Sequence, residues 1–106
     1  MPFMDPLKIE KLKPYRKRID ALDDQIIDLL GQRLDIIKEV SVLKAREGIA
    51  PVLQNRVDEV RDRCISAGKA KGYDEEVMYA VYSHLIEFSC KIEQDYQDAK
   101  NSREDT

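Results

Sequence analysis

Five side chains in this 106-residue sequence have types and spacings that can do chemistry: Arg16, Arg33, Lys44, Ser89 and Glu93. Arg33 interrupts an apolar repeat that reads Ile19, Leu22, Ile26, Leu29, Ile36, Val40, Leu43. A guanidinium in such a seam is costly without an anionic partner. Asp28 and Asp35 point elsewhere on the helical wheel. Lys44 follows Arg33 by a helical rotation that returns within about 20° of the same face, about 16 Å further along the axis. Ser89 and Glu93, at i and i+4, share one face of another helix. Arg16 lies about 26 Å before Arg33 and is rotated by roughly 100°. It is badly placed for the same pocket within one chain, but an antiparallel two-fold can bring it to a partner's pocket. Each residue alone has a plainer use. Arg16 can be a surface arginine, Arg33 can snorkel, Lys44 can complement a helix C-terminus, and Glu93 can be solvated. Together, inward cations and one acid describe a pocket for a small polyanion such as a dicarboxylate. Spacing names no reaction.

Composition narrows the field. Apolar residues make up 42% and charged residues 37%, with four Gly, four Pro and no Trp. That balance suits one domain of solvated helices and fits a sandwich or barrel poorly. The net charge of −3 argues against nucleic acid as the main partner. No apolar run has the length of a membrane span. The opening Met1-Pro2-Phe3-Met4-Asp5 lacks the basic flank and apolar stretch of a secretion signal, so a cytoplasmic setting is expected. Cys64 and Cys90 form no CxxC pair and His84 is the lone histidine, so no metal site is expected. Phosphate-cradling glycine loops and nucleophile elbows are missing from the sequence.

The elements that must position these residues are helices. Asp5-Pro6 reads as an N-cap followed by proline at the first helical position. The spacing predicts helix one from Pro14 to Glu47, with a possible earlier turn, and residues 1–13 as an N-terminal extension. Gly48 and Pro51 end it. Asn55 is expected to cap helix two, which reaches Ala67, with Asp58 as a weak capping-box echo and Gly68 to Gly72 as a loop. Helix two repeats Val57, Val60, Cys64 and Ala67. Asp74 is expected to cap helix three, with Glu75 and Glu76 at its positive end, running to Tyr96. Its stripes are Met78, Val81, Leu85, Phe88, Ile92 and, beside it, Tyr79, Tyr82, Ile86, Ser89, Glu93, Tyr96. Residues 97–106 read as a polar, frayed tail. No segment alternates as a strand does.

Length bears on assembly. A helix of that span is roughly 50 Å long, whereas a compact globule of this size is about 34 Å across. An apolar stripe so placed needs a second chain, which predicts an all-α, three-helix protomer with one long helix in an intertwined homodimer. A coiled coil without an active site explains the repeat equally well.

The run Arg16-Lys17-Arg18-Ile19-Asp20-Ala21-Leu22-Asp23-Asp24-Gln25-Ile26-Ile27-Asp28-Leu29-Leu30-Gly31-Gln32-Arg33 resembles the opening of the all-helical chorismate mutases, R-x-x-I-D-x-L-D-x-x-I-x-x-L-L-x-x-R. The likeness continues through Val40 to Lys44, Pro51 and Arg56, and ends with Ile86-Glu87-Phe88-Ser89 and Glu93. It spans about residues 12–96, and residues 14–96 are expected to form the helical domain. The resemblance implies a three-helix protomer in an interlocked dimer and the rearrangement of chorismate to prephenate, which uses no cofactor, metal or nucleophile. It implies that Arg33 grips a substrate carboxylate, that Arg16 enters from the other subunit, and that Lys44 donates to the ether oxygen and a carboxylate. Ser89 assists at a carboxylate and Arg56 stands at the mouth of helix two. Val40, Val60, Ile86 and Cys90 form apolar walls.

Two positions depart from the bacterial pattern. Glu93 replaces the usual Gln, as in the fungal enzymes. It has to carry a proton to donate to the ether oxygen, and burial is expected to favour that proton. Val57 replaces the Glu that in many members holds the substrate's 4-hydroxyl. A valine there also occurs in isochorismate-pyruvate lyases of this fold, which yield salicylate. That activity is the alternative, although those enzymes usually keep Gln where this chain has Glu93. A non-catalytic dimeric module that binds an anion is a third reading. Arg16, Arg33, Lys44 and Ser89 together argue against it, since drift would remove at least one.

Overall fold

A computed structural model describes residues 5–104 of the chain. Residues 1–4 of the expected extension and 105–106 of the expected tail lie outside them. The described residues form four helices in the order α1 (Pro6–Glu10), α2 (Lys13–Glu47), α3 (Gln54–Ala70) and α4 (Glu75–Glu104). The fold is all-α, as the periodicity requires. The chain divides into two compact units, Met1–Arg33 and Leu34–Thr106, with α2 contributing to both.

In the first unit, Asp5 caps α1. Its Oδ1 accepts from the Leu7 N–H at 2.9 Å, and Pro6 fills the first helical position. The short α1 is a helix of its own, so the described residues hold four helices where three were expected. The chain turns at Lys11 and Leu12, and Pro14 sits in the first turn of α2, where its missing N–H breaks no helical bond. The seam residues Ile19, Leu22, Ile26 and Leu29 are each 51–62% exposed in the single chain.

In the second unit, α3 packs on α4. The end of α2 is turned by Gly48, whose φ of 68° suits a residue without a Cβ. The Ile49 N–H then reaches back to the Lys44 carbonyl at 2.8 Å. Leu53, not Asn55, precedes α3, and no side chain caps it. Asp58 instead accepts from Gln54 Nε2 at 3.0 Å and from Arg61 at 2.9 Å. Helix α3 also runs past its expected end at Ala67. Gly68 is buried inside the helix, where a Cβ would lie 2.6 Å from Met78 Cγ of α4. The turn comes at Gly72, with φ of 81°. Asp74 caps α4 as expected, its Oδ1 accepting from the Val77 N–H at 3.1 Å.

Helix α4 continues to Glu104, beyond the expected stop at Tyr96. Its core-facing line is Ile86, Cys90 and Glu93, whereas Phe88 and Val81 of the other expected stripe are exposed. Among the described residues, the buried ones besides Gly68 are Ser41, Cys64, Ile86 and Glu93. Two of these four are polar, and each has a partner. The Ser41 hydroxyl donates to the Ile37 carbonyl at 2.8 Å. Glu93 meets a lysine.

Candidate active site

That lysine is Lys44. Its Nζ lies 3.0 Å from Glu93 Oε1, with the two side chains only 17% and 10% exposed. Lys44 comes from the last turn of α2 and Glu93 from the middle of α4, so the pair joins residues far apart in sequence. The same Nζ donates to the Pro51 carbonyl at 3.1 Å. An ammonium has three N–H bonds. Two are committed to these acceptors, which leaves one for a guest. A buried charge pair is stable only when its remaining polar atoms are satisfied, and the Pro51 carbonyl does part of that here.

Cys90 stands one turn before Glu93 on α4. Its thiol is pushed above its ordinary value, first by burial and then by the nearby Glu93 charge, while the Lys44 ammonium pulls it down. Lys44, Glu93 and Cys90 therefore share one electrostatic neighbourhood. Cys90 is half-buried and Ile86, another turn back, is buried. Ser89 is half-buried, and its hydroxyl donates to the Leu85 carbonyl at 2.9 Å. Val40 and Val60 are half-buried, a level of burial that suits lining residues.

Other expected residues stand differently. Arg56 lies in the first turn of α3 but is exposed and ion-paired with Glu59 of its own helix. Arg16 is exposed and Arg33 half-buried, both in the first unit. His84 is exposed beside Glu87, as a surface residue would be. Glu93 is buried, as expected, and its carboxyl group lies against the Lys44 ammonium. A groove on α3 and α4 is lined by Ile65, Glu75, Glu76 and Tyr79. Two carboxylates there would repel a dianion, and it is a different place from the Lys44–Glu93 pair.

Sequence reasoning missed Pro51's carbonyl, because a backbone acceptor leaves no residue signature. It also missed Gln97 and Lys100, which bond to the end of α2 and its loop. The i+4 and i+7 spacing of Gln97 and Lys100 from Glu93 was the signal available for them.

The family model for chorismate mutase type II matches residues 15–94. The chain is similar to a 4-amino-4-deoxychorismate mutase of Streptomyces venezuelae, with 29% identity over 78% of this chain and 81% of the relative. It is similar to a chorismate mutase of Methanocaldococcus jannaschii, with 28% identity over 90% of this chain and 96% of the relative. A bifunctional chorismate mutase/prephenate dehydratase of Aquifex aeolicus is 24% identical over 80% of this chain, which corresponds to 24% of that larger protein. No solved structure matches.

Proposed function

The chain belongs to the chorismate mutase type II family, and we propose that it rearranges chorismate to prephenate in a site centred on Lys44 and Glu93. The observation that carries this reading is the buried ammonium–carboxylate pair at 3.0 Å. The reaction is an intramolecular bond shift, so the protein has to hold the substrate in its compact, diaxial shape and stabilise charge on the breaking ether oxygen. Lys44 has one N–H to give to that oxygen or to a carboxylate. Glu93, when protonated, donates to the same oxygen. Ser89 and Arg33 take substrate carboxylates, and Arg56 turns from Glu59 to the mouth of the site. Ile86, Cys90, Val40 and Val60 exclude water from the ring.

The working form is an intertwined homodimer in which Arg16 serves the partner's site. The support is the exposure of Ile19, Leu22, Ile26, Leu29 and Ile36 along α2, between 51% and 62% in the single chain. A row of exposed apolar side chains on one helix suits an interface. No helix among the described residues is long and apolar enough to cross a membrane. The two free thiols suit a reducing, cytoplasmic setting.

Purified protein assayed separately with chorismate, isochorismate and 4-amino-4-deoxychorismate tests the reading. Prephenate from chorismate is the expected product. Salicylate and pyruvate from isochorismate, with no prephenate, would make it a lyase. Rearrangement of the amino substrate alone would assign it the specificity named for the Streptomyces relative. No turnover of any of the three would leave a binding module.

A further inference from the structure

We propose that Gln97 and Lys100 are positioning residues that clamp the end of α2 and its loop, and so hold Lys44 in its reactive place. The inference rests on the activity proposed above. It begins with four hydrogen bonds around one short segment. The Lys44 carbonyl accepts from the Ile49 N–H at 2.8 Å. The Ala45 carbonyl accepts from Lys100 Nζ at 3.2 Å. The Ile49 carbonyl accepts from Gln97 Nε2 at 3.1 Å. The Pro51 carbonyl accepts from Lys44 Nζ at 3.1 Å.

The last turn of any α-helix leaves carbonyls without intrahelical donors. Here one of them is met by a lysine from α4, and a cation at a helix C-terminus also suits the helix dipole. Beyond Gly48 the chain has left the helix, and its shape depends on what it bonds. Gln97 fixes the Ile49 carbonyl, two residues before the Pro51 carbonyl that orients the Lys44 ammonium. Glu93, Gln97 and Lys100 are spaced by four and three, so they lie on one stripe of α4. That stripe holds the lysine twice. Glu93 holds its ammonium, while Gln97 and Lys100 hold the backbone that carries it and the loop that supplies its second acceptor.

A reacting group displaced by about 1 Å can lose up to about 100-fold in rate, so small departures of the loop should register in turnover. The test compares the parent with Gln97→Met, Lys100→Met and Lys100→Arg. For each, kcat and KM with chorismate are measured, with thermal unfolding alongside. The Met variants are expected to lose about tenfold in kcat, while KM moves less and the folded fraction at assay temperature stays that of the parent. Lys100→Arg, which keeps a donor at the Ala45 carbonyl, should recover most of the loss. Unchanged kcat in both Met variants overturns the clamp, as does a loss explained by unfolding alone.

A second readout needs no turnover. Cys90 senses Lys44 and Glu93, so the pH dependence of its alkylation, followed on the Cys90 peptide by mass spectrometry, reports their arrangement. It should shift in the Met variants and return in Lys100→Arg. If the parent fails to convert chorismate while this shift appears, the functional reading fails and the clamp stands. An unmoved Cys90 profile overturns the clamp whatever the activity.

Discussion

Glu93 is the residue on which the chemistry is most sharply defined. A carboxylate repels an ether oxygen that is gaining negative charge, whereas a carboxylic acid donates to it. Glu93 Oε1 lies 3.0 Å from the Lys44 ammonium, and the donor role proposed for Glu93 requires the carboxylic acid. Activity should therefore fall as pH rises, by about tenfold per unit once the carboxylate form dominates. A glutamine in its place has no carboxyl proton to lose, and its carbonyl oxygen can still accept from Lys44. The Glu93→Gln variant should accordingly show a flatter kcat/KM profile than the parent across the range from about pH 5 to about pH 9. Identical profiles would remove Glu93 from the donor role. Cys90 offers a check on the same surroundings. Burial and the Glu93 charge raise its thiol, outweighing the pull of Lys44. The thiolate is the reactive form, so at about pH 8 to 9 Cys90 should be alkylated more slowly in the folded protein than in the denatured chain. Linkage has the same sign. A thiol raised by folding costs stability as pH climbs through its unfolded value, and leaves stability unaffected well below it. Equal alkylation rates in the folded and denatured protein would contradict this picture of the site.

The elements show what a sequence can and cannot disclose. Helix α2 is legible almost to the residue, because a 3.6-residue apolar repeat and the Gly48 stop are both local signals. The Asp5 and Asp74 caps are legible for the same reason. Gly68 reads in sequence as the opening of a loop, and there the sequence misleads. Its role is close packing, since it lies inside α3 with Met78 of α4 where a side chain would go. The glycine that does break the helix, Gly72, looks no different in sequence. Helix α4 outruns its expected end, and there Gln97 and Lys100 bond to acceptors 48 and 55 residues away in sequence, partners that the spacing from Glu93 does not name. Of the candidate site, Lys44 and Glu93 are singled out by the sequence and lie 3.0 Å apart in the fold, while the Pro51 carbonyl is out of reach of any residue pattern. The Gly68 packing makes a prediction. Gly68→Ala should destabilise the protein by about 1–3 kcal/mol in denaturant unfolding, the usual cost of overpacking. Its helix propensity gain of about 1 kcal/mol works against that cost. Met78→Ala in the same chain removes the clash, so Gly68→Ala should then be neutral or stabilising. Equal effects of Gly68→Ala with and without Met78 would mean that packing is not what keeps the glycine.

At the scale of the whole molecule the question is what completes the site. Lys44, Glu93, Ser89 and Cys90 belong to the second unit, and Arg16 and Arg33 to the first. Arg16 is exposed along a helix whose apolar residues are also exposed, from Ile19 at 55% to Leu29 at 62%. Large exposed apolar side chains on one helix and a cation beside them fit the interface of the proposed homodimer. In the proposed homodimer each pocket takes Arg33 from one chain and Arg16 from the other, which gives subunit mixing a definite outcome. Chains with Arg16→Ala alone and chains with Arg33→Ala alone should each form dimers in which both pockets lack an arginine, with activity down about 100-fold or more, since a charge-assisted contact is lost at a carboxylate. In a mixed dimer, one pocket collects both substitutions and the other collects neither. Random exchange puts half of the dimers in the mixed form, so one pocket in four is intact. Activity should therefore return to about a quarter of the parent's after exchange of equal amounts. Recovery that appears only under conditions where subunits exchange, and that stops when the dimers are crosslinked first, would establish the shared site. No recovery despite proven exchange would place Arg16 and Arg33 in the same pocket of one chain, or Arg16 outside the site altogether.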